Sequence, residues 1–114
     1  MEISFTKRGD DQNIISCKRK DGSVTWMHSS RFFIMHDLIH YSVETVLNLK
    51  TAFYGMLAAG TDIKDFDVPR ERRTILFSDE AIFAEQTVNL LGIEHTQGRI
   101  ENFIEFIAPK ISAL

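Results

Sequence analysis

The period of the apolar residues changes once along this chain, from two to about 3.6, and the change falls near residue 30. Strands gathered at one end and helices at the other define an α+β layout, because a parallel α/β sheet needs the two kinds of element to alternate. Ile3 and Phe5 alternate with Ser4 and Thr6, and Gly9 to Gln12 is a polar loop. Asn13 to Lys20 reads as a second strand, with Ile15 and Cys17 on one face and Ser16 and Lys18 on the other. Lys20-Asp21-Gly22-Ser23 predicts a two-residue hairpin, since Asp-Gly tolerates the positive φ such a turn needs. Val24, Trp26 and His28 then share one face of a third strand. The expectation is a three-stranded antiparallel meander near residues 2–28, followed by three main helices.

The first of these helices is expected from about Met35 to Ala59, a stretch without proline. Leu38, Ile39, Val43, Val46, Phe53 and Leu57 form its inward arc, with Asp37, Thr45 and Asn48 on the opposite side. Gly60 is a natural stop, and Ser29, Ser30 or Met35 a natural start. Ser78 with Asp79 and Glu80 marks the start of the next helix, through a hydroxyl cap and acids at the positive end of the dipole. Ala81, Ala84, Val88 and Leu91 make its stripe and Gly92 its end. Arg99 to Ile111 reads as the last helix, with Ile100, Phe103, Ile104 and Ile107 inward and Pro109 disturbing its final turn.

A chain of 114 residues fits one domain, residues 1–114. Folding would take roughly 19,000 Å² of open-chain surface to about 6,400 Å², enough burial for a core without staples. The formal charge of −3 lacks the basic surplus of a general polyanion binder. Lys18-Arg19-Lys20 and Arg70-Arg72-Arg73 read as solvated runs, and no nucleic-acid partner is expected. Cys17 is the single cysteine, which excludes an internal disulfide and a Cys-rich zinc ribbon. With no basic leader and no apolar run of about 18 residues, a soluble cytoplasmic protein with no membrane span is expected.

The chemistry-bearing residues concentrate on the first expected helix. His36, His40 and Glu44 are spaced i, i+4, i+8, so the two imidazoles stand one above the other and Glu44, drifting by about 40°, is expected either as a third ligand or as the group that orients a water or His40. This His-x3-His-x3-Glu face is the candidate site for a divalent metal, zinc, nickel or iron suiting the ligand types. His28 is the candidate ligand from outside the helix, with His95 and Glu85 as more distant ones. Asp37 and Glu44 are the candidate acid–base groups. His36-Asp37-Leu38-Ile39-His40 also matches the zinc-protease helix with Asp in place of Glu, a shorter arm for holding a water. The third protease ligand is missing from the helix, so a protease is not expected.

His36-Asp37-Leu38-x-His40-Tyr41-x-Val43-Glu44, with Phe53 to Gly60 after it, resembles the HDLxHYxVE helix of a group of small uncharacterised bacterial proteins. The resemblance covers about residues 35–66 and implies a bacterial, intracellular protein; it implies no activity. Two function classes therefore stand side by side. One is a metal-binding protein built on His36 and His40, its small-molecule ligand unknown. The other is a non-catalytic interaction module, a homodimer whose C₂ interface covers the open faces of a small sheet and whose histidines serve structure.

Overall fold

The computed structural model describes residues 1–72 and 74–114, so Arg73 and the Arg70 side chain, two thirds of the second arginine run, lie outside the described residues. Three antiparallel strands in the order β1-β2-β3 open an α+β fold: β1 (Glu2–Thr6), β2 (Asn13–Lys18) and β3 (Val24–Ser29). Helices follow: α1 (Arg31–Val46), α2 (Phe53–Ala58), α3 (Asp79–Gln97) and α4 (Phe103–Ser112), with 3-10 turns at Ile63–Asp67 and Arg70–Arg72 between α2 and α3.

The sheet register pairs Ile3 with Cys17, Phe5 with Ile15, Ile15 with Met27 and Cys17 with Thr25. These residues share one face, and Ile15 and Cys17 are fully buried there with Leu57 and Ile63. The β2–β3 turn is one residue longer than the two-residue hairpin expected. Arg19 N–H donates to Ser23 O and Gly22 N–H to Arg19 O, with Gly22 at φ +89°. That is a three-residue loop closed by a left-handed glycine bulge, the other solution open to Asp-Gly. The Arg19 guanidinium then reaches the carbonyls of Leu57 (2.6 Å) and Thr61 (2.8 Å), clamping the hairpin to the end of α2.

The long helix expected over 35–59 is two helices. Ser30 caps α1 by accepting from Phe33 N–H, one of the three expected starts. After Val46 the chain turns out through Asn48, at φ +54°, with Leu49 N–H on Glu44 O and Asn48 N–H on Thr45 O. This pair of bonds is the Schellman closure, and asparagine takes the left-handed position that glycine usually fills. Gly55 lets α2 fold back: a Cβ there would lie 2.0 Å from the Lys50 carbonyl oxygen. Gly60 ends α2 at φ +117°.

Further along, Ser78 caps α3 as expected, accepting from Ala81 N–H. Gly92 does not end it: α3 runs to Gln97, and Gly98 at φ +96° is the stop. Glu80 reaches back to the Lys50 and Thr51 amides, which fixes the α1–α2 connection to the start of α3. Ala81, Ala84 and Val88 are buried, and their small side chains let α3 lie close along α1. In α4, Pro109 sits inside the helix, and the helix continues to Ser112. Ile107 is buried but Ile104 faces out, against the expected inward set.

The inward arc of α1 also differs from the apolar reading. Leu38 is exposed and Val46 is 80% exposed, while His40, Val43 and Glu44 are buried. The side of α1 that α3 and α2 cover is the side carrying the histidines. Polar groups can occupy such a face when they satisfy one another.

Candidate metal centre

His40 sits at the centre of the α1–α3 contact, 4% exposed, with both ring nitrogens engaged. Its Nδ1 lies 2.8 Å from Glu44 Oε2 and its Nε2 2.8 Å from Glu85 Oε2. The second Glu85 oxygen lies 3.3 Å from His36 Nε2. The His36 and His40 rings meet edge-on at 5.0 Å, neighbours on one face of α1 as i, i+4 spacing requires. His36, His40 and Glu85 each bring one ligand atom within 4.8 Å of the others, and together could hold a metal ion.

Glu44 takes the second of its two expected roles: it stands behind this cluster, bonded to His40, rather than in it as a third ligand. It is 5% exposed, with Oε1 accepting from Tyr54 N–H at 2.9 Å and Oε2 on His40 Nδ1. The 40° drift along α1 carries it past His36 toward the start of α2, where Ala52 offers no side-chain cap. Glu44 thus caps α2 from a distance and orients His40. The carboxylate that joins the two histidines comes instead from Glu85, one turn after the buried Ala81 of α3.

His28 also stands outside the cluster. The pleat that turns Thr25 and Met27 inward turns Val24, Trp26 and His28 outward, and His28 lies edge-on to Trp26 at 5.4 Å. It reaches only the lining of the adjoining cavity. His95 is exposed in the last turn of α3. Asp37, expected on the polar side, is half-buried and lines the same cavity. Its burial pushes the carboxyl up to about 6, against the pull of His36 and His40. Cys17 is sealed in the core, and its thiol is pushed up to about 11, mainly by that burial.

The electrostatics follow from the bonds. Burial alone would lower the His40 imidazole; its hydrogen bonds to Glu44 and Glu85, with their charges, outweigh this and raise it to about 9. Hydrogen bonds from His36 and His40 hold the Glu85 carboxyl far below the usual carboxylate range. Without a metal, His40 is therefore an imidazolium held between two carboxylates. A cavity of about 850 Å³ opens beside the cluster, lined in part by Phe33, Phe53, Phe66 and Phe77. No family model, curated protein or solved structure matches the chain.

Proposed function

We propose that this protein binds one divalent transition metal through His36, His40 and Glu85 and presents it to the cavity between α1, α3 and the segment after α2. The convergence of two imidazole nitrogens and one carboxylate carries the reading. Ligand atoms about 2.1 Å from a tetrahedral ion lie roughly 3.4 Å from one another. His36 Nε2 stands 3.3 Å from Glu85 Oε1 and His40 Nε2 2.8 Å from Glu85 Oε2, and one ligand atom from each residue lies within 4.8 Å of the others, so a small closure of the three side chains reaches that spacing.

Glu44 supports the same reading. A carboxylate only accepts, so Glu44 keeps a proton on His40 Nδ1; once the Nε2 proton shared with Glu85 is displaced, the Nε2 lone pair is free for the metal, as in carboxylate–histidine–metal triads. Two imidazoles and one carboxylate suit zinc and iron(II), and three protein ligands leave coordination positions for a small molecule or water. Cobalt(II) added to the protein should give a visible low-coordinate spectrum. Glu85→Ala should abolish that spectrum; retention of the full spectrum in this variant would overturn the ligand set.

The interaction-module reading has its own support in the surface. The chain exposes 7761 Å², about 1,400 Å² more than the roughly 6,400 Å² expected of a compact monomer this size. A standard interface takes about 800 Å² from each partner, so the surplus suits a second copy of the chain. Phe32 and Val46 on the outer side of α1 are 67% and 80% exposed, and a homodimer would cover them. Sedimentation should show a dimer that Val46→Glu weakens; a monomer for both proteins would remove this reading and leave the metal site untouched.

A further inference from the structure

The metal cluster uses one end of the cavity. The remainder has a chemistry of its own, made by residues the cluster does not need. Phe53 and Phe66 meet edge to face at 4.7 Å, and Phe66 and Phe77 lie 6.1 Å apart, forming a continuous aromatic wall. Asp37 and Asp67 line the same space. Among the described residues neither carboxylate accepts a hydrogen bond or forms an ion pair, and both line the cavity beside the aromatic wall. Half-burial without a direct partner is costly for the Asp37 carboxylate, and a cation or a donor in the cavity removes that cost; Asp67, exposed, adds its charge to the same space.

Charge points the same way. Among the described residues lining the cavity or bonded to its cluster, Asp37, Asp67, Glu44 and Glu85 supply four carboxylates, more negative charge than one bound dication offsets. An anionic ligand would enter against that balance. Aromatic faces beside carboxylates instead form the usual surroundings of an ammonium group, through cation–π and charge attraction together. The volume of about 850 Å³ is within the range of small-molecule sites.

We propose that the cavity takes a small organic amine, its ammonium head beside Asp37 and Asp67 and its carbon body against Phe53, Phe66 and Phe77, next to the metal-binding end. The proposal rests on the metal reading for the identity of that end, and on the acids and rings for the class of ligand.

Three probes with one ring and different heads separate these claims: benzylamine, benzyl alcohol and benzoate, titrated into the zinc-loaded full chain and followed by NMR shifts. Benzylamine should bind at least about tenfold more tightly than benzoate, with the alcohol between. Asp67→Asn, at an exposed position outside the metal cluster, should weaken benzylamine several-fold and leave the zinc content unchanged. Equal affinities, a preference for benzoate, or an Asp67→Asn protein with full benzylamine affinity would overturn the proposal. A chain that holds no zinc would end the metal reading alone. The same three probes on the metal-free chain would then decide the amine proposal by the same order of affinities.

Discussion

Replacing Glu44 tests how fold and site share one side chain. Its two oxygens make two bonds in a nearly water-free place, 2.8 Å to His40 Nδ1 and 2.9 Å to Tyr54 N. Glu44→Ala removes both, leaving a buried imidazole nitrogen and the first-turn amide of α2 without partners. Hydrogen bonds to charged groups contribute about 1.5–3 kcal/mol each, and breaking a buried pair costs roughly 3–5 kcal/mol. A loss of about 4 kcal/mol is expected, a large part of the stability of a domain this size. Glu44→Gln separates the two roles. Its amide oxygen can still accept from Tyr54, so only about 1–2 kcal/mol should be lost. Its NH₂ then faces His40 Nδ1, so the neutral ring keeps its one proton on Nε2, beside Glu85, and blocks the metal position. Metal affinity should fall 10- to 100-fold. Urea unfolding with a chelator measures the first quantity, and zinc titration against a competing chelator the second. A Glu44→Gln protein that binds zinc as tightly as the natural chain would refute the tautomer argument. A Glu44→Ala protein within 1 kcal/mol of natural stability would refute the burial argument.

The two carboxylates around His40 also set a pH dependence in opposite directions for stability and for metal. The folded His40 is raised from 6.5 to about 9, so its contribution to metal-free stability, about 3 kcal/mol, is complete below pH 6.5 and lost as pH rises through 9. Unfolding at pH 6 and pH 9.5, compared with His40→Gln, measures it. Metal must displace the Nε2 proton, so zinc affinity should fall about tenfold per unit as pH drops below 9, well above the range near 6.5 of an ordinary histidine; pH-dependent zinc titration checks the slope. Gly55→Ala should destabilise the protein by at least about 3 kcal/mol, because the new Cβ would overlap the Lys50 carbonyl. Thermal unfolding reads this change directly.

The sheet was legible because its information is local. Alternation places Ile3, Phe5, Ile15 and Cys17 on one face, and the register keeps them there. The Ser78 and Gly60 boundaries were readable too, since each cap works through its own neighbours, while Ser30 stood as one of three possible starts beside Ser29 and Met35. Two helix ends were hidden. Asn48 takes a left-handed turn that sequence signals assign first to glycine, and Gly92 is a tolerated interior glycine with no close neighbour. The His36–His40 alignment follows from helix geometry alone. Glu85 was readable only as one distant candidate beside His95, behind His28, because it joins His40 from 45 residues away through the packing of α3 on α1. The direction of the buried face misled for one reason. An apolar count turns Leu38 and Val46 inward, whereas a network of paired polar groups fills that face instead.

Zinc stoichiometry in four proteins tests the centre most directly: the natural chain, Glu85→Ala, His36→Ala and His28→Ala, each dialysed against buffered zinc and analysed for metal per chain. The ligand set predicts one zinc per chain, lost with Glu85 or His36 and kept without His28. No stoichiometric zinc in the natural chain, or full zinc in Glu85→Ala, would contradict it.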